Sequence, residues 1–199
     1  MRTRFLWAAA AALLLSGAPA FADTTVTAYD AARQALLTIW NEMPLTVRNV
    51  TLATGTAQNY GNYSVHEGNS YGPGEQIHVY VEVLGYGWKD NGDGTQSILL
   101  DADLHLLDAN GTTVASQDKF LSTNIVSKQK LLETYLALDA RLTSFAAGSY
   151  TLQYTLHDRA GGKDTTFGVP IVLTGDAGGS SASSAAPELS SSAQSSSAP

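Results

Sequence analysis

From residue 44 to residue 174, apolar and polar side chains alternate with a period of two, and this alternation constrains the fold more than any other feature. Successive side chains of a β-strand point to opposite faces, so the pattern is typical of strands with one buried face. The runs lie at 46–53, 58–66, 77–84, 98–107, 112–118, 135–142, 150–157 and 165–174. The chain is therefore predicted to be all-β, with about seven to nine strands.

Turn-forming residues separate these runs. Asp90–Gly94, Asp108–Gly111 and Arg159–Lys163 are rich in Gly, Asn and Asp and lie between pairs of strands. Such segments are typical of hairpin connections, because their residues accept the backbone angles of tight turns. Most strands are therefore expected to pair in antiparallel order.

One amphipathic helix is predicted before the strands. Thr27 and Asp30 resemble a capping box, and Pro44 ends the pattern. Apolar residues recur between them at spacings of three and four, namely Tyr29, Ala32, Leu36, Trp40 and Met43. We expect residues 23–44 to form a helix that packs on the domain, with docking on a partner as the alternative.

Both ends of the chain differ from the middle. Arg2 and Arg4 precede an apolar run, and Ala20-Phe21-Ala22 follows it, which is typical of a Sec-type signal peptide over residues 1–22. The predicted mature chain begins at Asp23, is periplasmic or secreted, and is not inserted in a membrane after cleavage. Residues 177–199 are rich in Ser and Ala and are predicted to be disordered. One folded domain of residues 45–176 follows, with the helix before it.

Charge and cysteine content exclude several functions. Without Arg2, Arg4 and Glu188, the middle of the chain has nine basic and seventeen acidic residues, a net charge of −8. Nucleic acids and anionic membrane surfaces are therefore excluded as partners. The chain has no cysteine. A lipid-modified N-terminus, thiol chemistry and disulfide bonds are thus excluded, and the domain depends on its core.

Three motifs carry a resemblance to known domains: Gly72-Pro73-Gly74-Glu75-Gln76-Ile77 before a strand, Asp108-Ala109-Asn110-Gly111 in a hairpin, and Gly148-Ser149-Tyr150 before the penultimate strand. With these motifs, residues 45–174 resemble the immunoglobulin-like domains of bacterial envelope proteins. The resemblance implies an immunoglobulin-like antiparallel β-sandwich, here without the inter-sheet cysteine pair. Trp40–Leu45 together with Gly85-Tyr86-Gly87-Trp88 is also similar to a family of periplasmic proteins to which no activity is attached.

Aromatic residues in glycine-rich segments are the first candidate site. Tyr63, Tyr71, Tyr86 and Trp88 lie in or beside predicted loops. Rings on the loops of a rigid scaffold can stack on sugars or grip a protein. The alternative is that they cover the ends of the domain and bury apolar area.

Acidic and histidine side chains are the second candidate. Asp101, Asp103 and His105 alternate and so share one face of a strand, and His157 lies on a strand expected to be its neighbour. Two carboxylates and two imidazoles can bind a divalent metal. A solvated sheet face gives the same pattern, so both interpretations stay open.

No motif of a nucleophile, a phosphate-binding loop or a metalloprotease occurs in the chain, so we expect no enzyme activity and no cofactor. The leading prediction is a non-enzymatic exported binding or structural module that acts by contact with another protein of the bacterial envelope. The alternatives are a carbohydrate-binding module, whose partner is an envelope polysaccharide, and a metal-binding domain.

Overall fold

A computed structural model describes the backbone of residues 20–175 and 188–197 and the side chains of residues 25–175. The chain divides into one compact unit that ends at Thr38 and a second that begins at Ile39. The predicted signal peptide lies outside the described residues up to residue 19, and its predicted cleavage site after Ala22 falls inside a helix. No helix of the described residues has the length and apolar character needed to cross a membrane.

The helix α1 covers Ala20–Glu42. It begins before the predicted capping residue Thr27, because no Gly or Pro interrupts the segment between Ala20 and Thr27. In the first unit, Tyr29 is 65% exposed and Leu36 is also exposed. In the second unit, Trp40 is 3% exposed and belongs to the core. Trp40 is thus buried in the second unit, while packing of Tyr29 and Leu36, which lie in the first unit, on the domain stays a prediction.

The end of α1 is held by a lysine from a distant strand. The last turn of α1 has no basic residue, and Pro44 follows it. The Nζ of Lys163 donates hydrogen bonds to the carbonyl oxygens of Met43 and Gly85, both at 2.7 Å. The carbonyl oxygens at a helix C-terminus have no partner inside the helix, and a cation near them is favourable. Lys163 supplies that cation.

Ten strands form two sheets in the described residues. The four-stranded sheet has the order β1-β3-β7-β10, and the six-stranded sheet has the order β2-β9-β8-β5-β4, with β6 paired to β5. Neighbouring strands are antiparallel except β2 and β9. The strands are β1 Thr46–Ala53, β2 Ser70–Tyr71, β3 Gln76–Leu84, β4 Lys89–Asp90, β5 Gln96–Leu107, β6 Thr113–Ser127, β7 Thr134–Thr143, β8 Gly148–Asp158, β9 Lys163–Leu173 and β10 Glu188–Ser197.

The prediction of an all-β chain with one helix is confirmed. The strand predicted at 58–66 is wrong, since that segment makes only isolated bridges such as Ala53 with Val65. The number of strands exceeds the prediction for two reasons. The strands β2 and β4 have two residues each, too few to show a period, and β10 lies in a segment that was predicted to be disordered.

Part of the Ser/Ala-rich tail differs from the predicted disorder. Residues 188–197 form β10, antiparallel to β7 from the pair Glu188 and Thr143 to the pair Ser197 and Thr134. A sheet edge offers unpaired backbone groups to any extended segment, whatever its side chains. Composition measures the apolar area of side chains and so misses backbone pairing. The other residues of the tail lie outside the described residues.

Both sheets contribute to one hydrophobic core. The inward residues of β3 and β5 alternate with polar ones, as predicted, and each fully buried Leu, Ile or Val side chain contributes about 1.5–3 kcal/mol. The central side chains are Ile77, Val79, Val81, Val83, Ile98, Leu100, Leu104, Leu106, Leu136, Leu138, Leu152 and Leu156. The two sheets therefore stabilise each other.

The outer face of the four-stranded sheet is covered by residues 54–69, which follow β1. Tyr60 and Tyr63 pack on a second cluster formed by Ala57, Tyr80, Tyr135 and Ala137. The buried carboxylate of Glu82 accepts hydrogen bonds from Arg48 at 2.6 Å and from Tyr60 at 2.9 Å. Burial raises the pKa of Glu82, but hydrogen bonds, among them those from Arg48 and Tyr60, outweigh it and lower the pKa. The chain thus closes this face with its own loop.

Replacement of Lys163 by Met should lower the free energy of unfolding by about 1–3 kcal/mol, because the carbonyl oxygens that it binds lose a charged donor while the apolar stem is kept. Urea denaturation measures this. The exposed Lys89 on β4 provides the matched control, Lys89→Met, which should unfold like the wild type. Equal stability of both variants would contradict the role of Lys163.

Candidate functional site

Tyr86 belongs to the core. It is 1% exposed, and its ring meets that of Trp40 edge to face with centroids 5.0 Å apart. Its hydroxyl and the indole N–H of Trp88 both donate to the carbonyl oxygen of Leu131 at 3.1 Å. Burial raises the pKa of the Tyr86 phenol. The interpretation of Tyr86 as a ring that stacks on a ligand is therefore corrected, since Tyr86 is buried and offers no free ring face.

The other predicted rings differ in exposure. Tyr71 is fully buried and stacks on His66 with centroids 4.8 Å apart, and burial raises its pKa to about 12. Tyr63 is half-buried and stacks on Tyr80 with centroids 4.1 Å apart. Trp88 is also half-buried. Of the four rings singled out, only Tyr63 and Trp88 keep surface for a partner.

The glycines around Tyr86 are needed for close packing. The carboxylate of Asp158, 1% exposed, accepts hydrogen bonds from the backbone N–H groups of Gly87 at 2.7 Å and Gly161 at 2.9 Å. A Cβ on Gly87 would lie 2.6 Å from the nitrogen of Gly161. Gly85 has φ +76°, and a Cβ there would lie 2.3 Å from the carbonyl oxygen of Pro44. The glycine-rich motif is thus explained by backbone contacts, with no ligand required.

We expect Gly85→Ala to lower the free energy of unfolding by about 3 kcal/mol, because the methyl group meets backbone atoms and the residue has a positive φ. Gly92→Ala is the matched control. Gly92 has φ +79° with no atom within 4 Å of the added Cβ, so its cost should be only about 1 kcal/mol. Thermal denaturation compares the two variants. Equal losses would show that the contact with Pro44 is unimportant.

Acidic and histidine side chains meet on the outer face of the six-stranded sheet. β5 and β8 are neighbours, as predicted, and Asp101 lies opposite His157. The Nε2 of His157 is 3.0 Å from an Oδ of Asp103, and its Nδ1 is 2.8 Å from an Oδ of Asp164. We call Asp103, His157 and Asp164 the charged row. Asp164 was missed because its place beside His157 depends on the register of the β8–β9 hairpin.

Asp101, one of the other two predicted metal ligands, is bound by other side chains. One Oδ of Asp101 is 3.0 Å from the Nε of Arg159, and the other accepts a hydrogen bond from Ser122 at 2.6 Å. His105 lies opposite Gln153 of β8. Residues 25–175 contain no group of three or more His, Cys, Asp or Glu side chains placed to hold a metal ion. The alternative interpretation of Asp101, Asp103, His105 and His157 as one metal site therefore gains no support from these residues.

The charged row favours an ionised histidine. The hydrogen bond to Asp103, followed by that to Asp164, raises the pKa of His157 against the effect of its partial burial. Partial burial raises the pKa of Asp103, but the backbone N–H of Lys119 and the His157 ring outweigh it and lower that pKa. An imidazolium that donates both N–H groups has no lone pair for a metal or a proton. The row can recognise a partner by charge and hydrogen bonds.

Polar side chains surround the charged row. Thr151, Gln153 and Thr155 of β8 are half-buried, and Thr155 forms a hydrogen bond of 3.1 Å with the exposed Thr166 of β9. On the other side of β5, the β6 residues Ser122 and Asn124 are exposed. The open face of this sheet is the set Asp103, Ser122, Asn124, Thr151, Gln153, Thr155, His157, Asp164 and Thr166.

No protein-family model matches this chain, and none of the curated proteins matches it. The function proposed below therefore depends on the chemistry of the described residues.

The charged row predicts a pH-dependent stability. Because the pKa of His157 is raised on folding, its stabilisation is complete below about 6.5, the ordinary pKa of histidine, and is lost as pH rises through the raised value. Asp103, with a lowered pKa, contributes above about 3.9 and loses its contribution as pH falls through the lowered value. The free energy of unfolding of the wild type should therefore be higher than that of His157→Gln, and this difference should be larger at about pH 5.5 than at about pH 9.

Denaturant unfolding at both pH values measures this difference. Asp103→Asn removes the first hydrogen-bond partner of the His157 ring. In this background, replacing His157 by Gln should change the free energy of unfolding by more similar amounts at the two pH values. If the free energies of unfolding of wild type and His157→Gln differed by the same amount at both pH values, the raised pKa of His157 in the folded protein would be contradicted.

Proposed function

We propose that this chain is a non-enzymatic exported module that acts by contact with another protein of the bacterial envelope, through the open face of the six-stranded sheet. One observation carries the proposal: the two outer faces differ. Tyr60 and Tyr63 cover the outer face of the four-stranded sheet. The open face has exposed polar residues such as Asn124 and Thr166. An antiparallel sheet needs burial on only one side, so the open face is free for recognition.

The size of the open face suits a protein partner. Four strands spaced about 4.8 Å apart, with about ten residues each at about 3.3 Å, give a face of roughly 600 Å². One side of a standard protein interface buries about 800 Å². A surface of this size matches a protein better than a small molecule, which is usually enclosed by a single pocket.

The chemistry of the open face indicates the type of partner. Threonine, serine, asparagine and glutamine offer donors and acceptors, and the flanking Asp103 and Asp164 are acidic. Residues 23–176 carry a net charge of −8. A partner surface with hydrogen-bonding and basic side chains complements such a face and associates faster at low salt.

The proposal includes export of the chain and an immunoglobulin-like architecture. The pattern of residues 1–22 supports a cleaved signal peptide and a periplasmic or secreted protein. Two largely antiparallel sheets with one shared core support an immunoglobulin-like sandwich, in which such modules expose one sheet face or their loops.

The test places a photo-reactive benzoylphenylalanine at Thr166, on the open face, and separately at Asp93, in the exposed turn between β4 and β5. In native cells Thr166 should give one main protein adduct and Asp93 none. The captured protein is then purified, and its affinity for wild type and Thr155→Arg is measured. Thr155→Arg should bind at least about tenfold more weakly, as expected for a residue at the centre of an interface.

Two results would contradict the proposal. One is capture from Asp93 and not from Thr166. The other is an unchanged affinity for folded Thr155→Arg. Because Thr155 lies on the outward side of β8, its replacement leaves the core residues Tyr154 and Leu156 in place, and circular dichroism checks the fold.

A further inference from the structure

A polar cleft lies in the loop that covers the four-stranded sheet, away from the open face. Its volume is about 170 Å³, and it is formed by the segment from residue 54 to residue 64. The cleft is lined by Thr54, Gly55, Thr56, Gln58, Asn62, Tyr63 and Ser64. Its base is fixed by the backbone N–H of Thr54, which donates to the carbonyl oxygen of Ser64 at 2.9 Å.

One wall of the cleft is an aromatic ring held in place from behind. The Tyr63 ring stacks on Tyr80, which in turn stacks on Tyr135 with centroids 5.5 Å apart. Tyr80 is fully buried, and its hydroxyl accepts a hydrogen bond from the backbone N–H of Gly61 at 2.8 Å. Tyr80 covers one face of Tyr63, and the half-buried remainder of that ring borders the cleft. Such a supported ring loses little conformational freedom when a ligand stacks on it.

The other walls offer hydrogen bonds without charge. Hydroxyls come from Thr54 and Ser64, and side-chain amides come from Asn62 and from Gln58, whose Nε2 also donates to the carbonyl oxygen of Thr56 at 3.0 Å. The lining includes no Lys, Arg, His, Asp or Glu. An anion or a metal ion would find no opposite charge there, so the lining favours a neutral ligand with many hydroxyls.

A further hydroxyl of the lining, that of Thr56, is oriented by a buried carboxylate. The hydroxyl of Thr56 donates to Asp139 at 2.5 Å, and Asp139 is 2% exposed and lies 2.9 Å from the Nδ1 of His78. Because Thr56 gives its proton to Asp139, and its Oγ1 also lies 3.4 Å from the Nδ1 of His78, this hydroxyl cannot donate to a ligand.

We propose that this cleft binds one neutral pyranose unit of a glycan, stacked on Tyr63 and hydrogen-bonded to the hydroxyls and amides around it. The ligand class follows from the combination of a ring face with uncharged polar walls. The cleft volume of about 170 Å³ is below the roughly 300–1,000 Å³ of pockets for drug-sized ligands, which suits a ligand of a single ring. The site is distinct from the open face, so it stands whether or not the proposed protein contact is found.

The test uses saturation-transfer NMR of the full chain with three probes: the methyl glycosides of glucose, galactose and N-acetylglucosamine. At least one should bind with a millimolar Kd, the range expected for a ligand of about thirteen to sixteen heavy atoms. Tyr63→Ala should weaken binding at least about tenfold by removing the stacking surface. Tyr63→Phe keeps the ring and should retain binding.

Two further variants protect the test from effects on folding. Asn62→Leu leaves the ring stack intact but replaces an amide of the lining with an apolar group, and it should also weaken binding about tenfold. Tyr29→Ala removes an exposed tyrosine of α1 outside the cleft and should bind like the wild type. The proposal is overturned if no glycoside binds, or if binding is unchanged in Asn62→Leu and in folded Tyr63→Ala.

Discussion

The buried carboxylate of Asp158 is the contact on which the arrangement of the second unit most depends. A buried charge is tolerated only when hydrogen bonds replace its water, and here the backbone N–H groups of Gly87 and Gly161 do so. This ties the segment after β3 to the β8–β9 hairpin and fixes Tyr86 on the core. At the end of that hairpin, Lys163 donates to the carbonyl oxygen of Met43, just after the helix turn that carries Trp40. Asp158 and Lys163, two charged residues of one hairpin, thus hold the segments that place Tyr86 and Trp40 on the core.

Fixing the rings in this way decides which surfaces remain for function. The described residues contain histidine–carboxylate contacts in two contrasting surroundings. His78 and Asp139 lie under the loop that covers the four-stranded sheet, and Asp139 is buried. His157 and Asp103 lie on the open face and stay partly accessible. The same chemistry therefore orients a hydroxyl of the cleft in one place and gives a charged, solvent-facing surface in the other. Burial, and not residue type, separates the two roles.

The strands were predictable because their period records burial directly, and β3, β5, β7 and β8 lie where the alternation is strongest. Loops carry no such period. Gly85 and Gly87 fit an exposed platform and a closely packed turn equally well, so whether Tyr86 was exposed depended on atoms of Pro44 and Gly161 that are distant in sequence. That Asp103 and His157 are neighbours could be predicted from the strand order. The position of Asp164 beside them could not, because it depends on the register of the β8–β9 hairpin. The cleft at Tyr63 was hidden because residues 58–66 alternate like a strand yet fold over a sheet.

Backbone pairing, which composition does not reveal, also narrows how a partner can bind. A sheet edge can accept an extended strand from another protein, and this gives contact without side-chain specificity. Along β7 that route is occupied, because β10 pairs with it over residues 188–197. A partner that used this edge would first have to displace β10 and lose its backbone hydrogen bonds. The open face requires no such exchange, since its side chains already point to solvent. Contact through the face is therefore favoured over strand addition at β7.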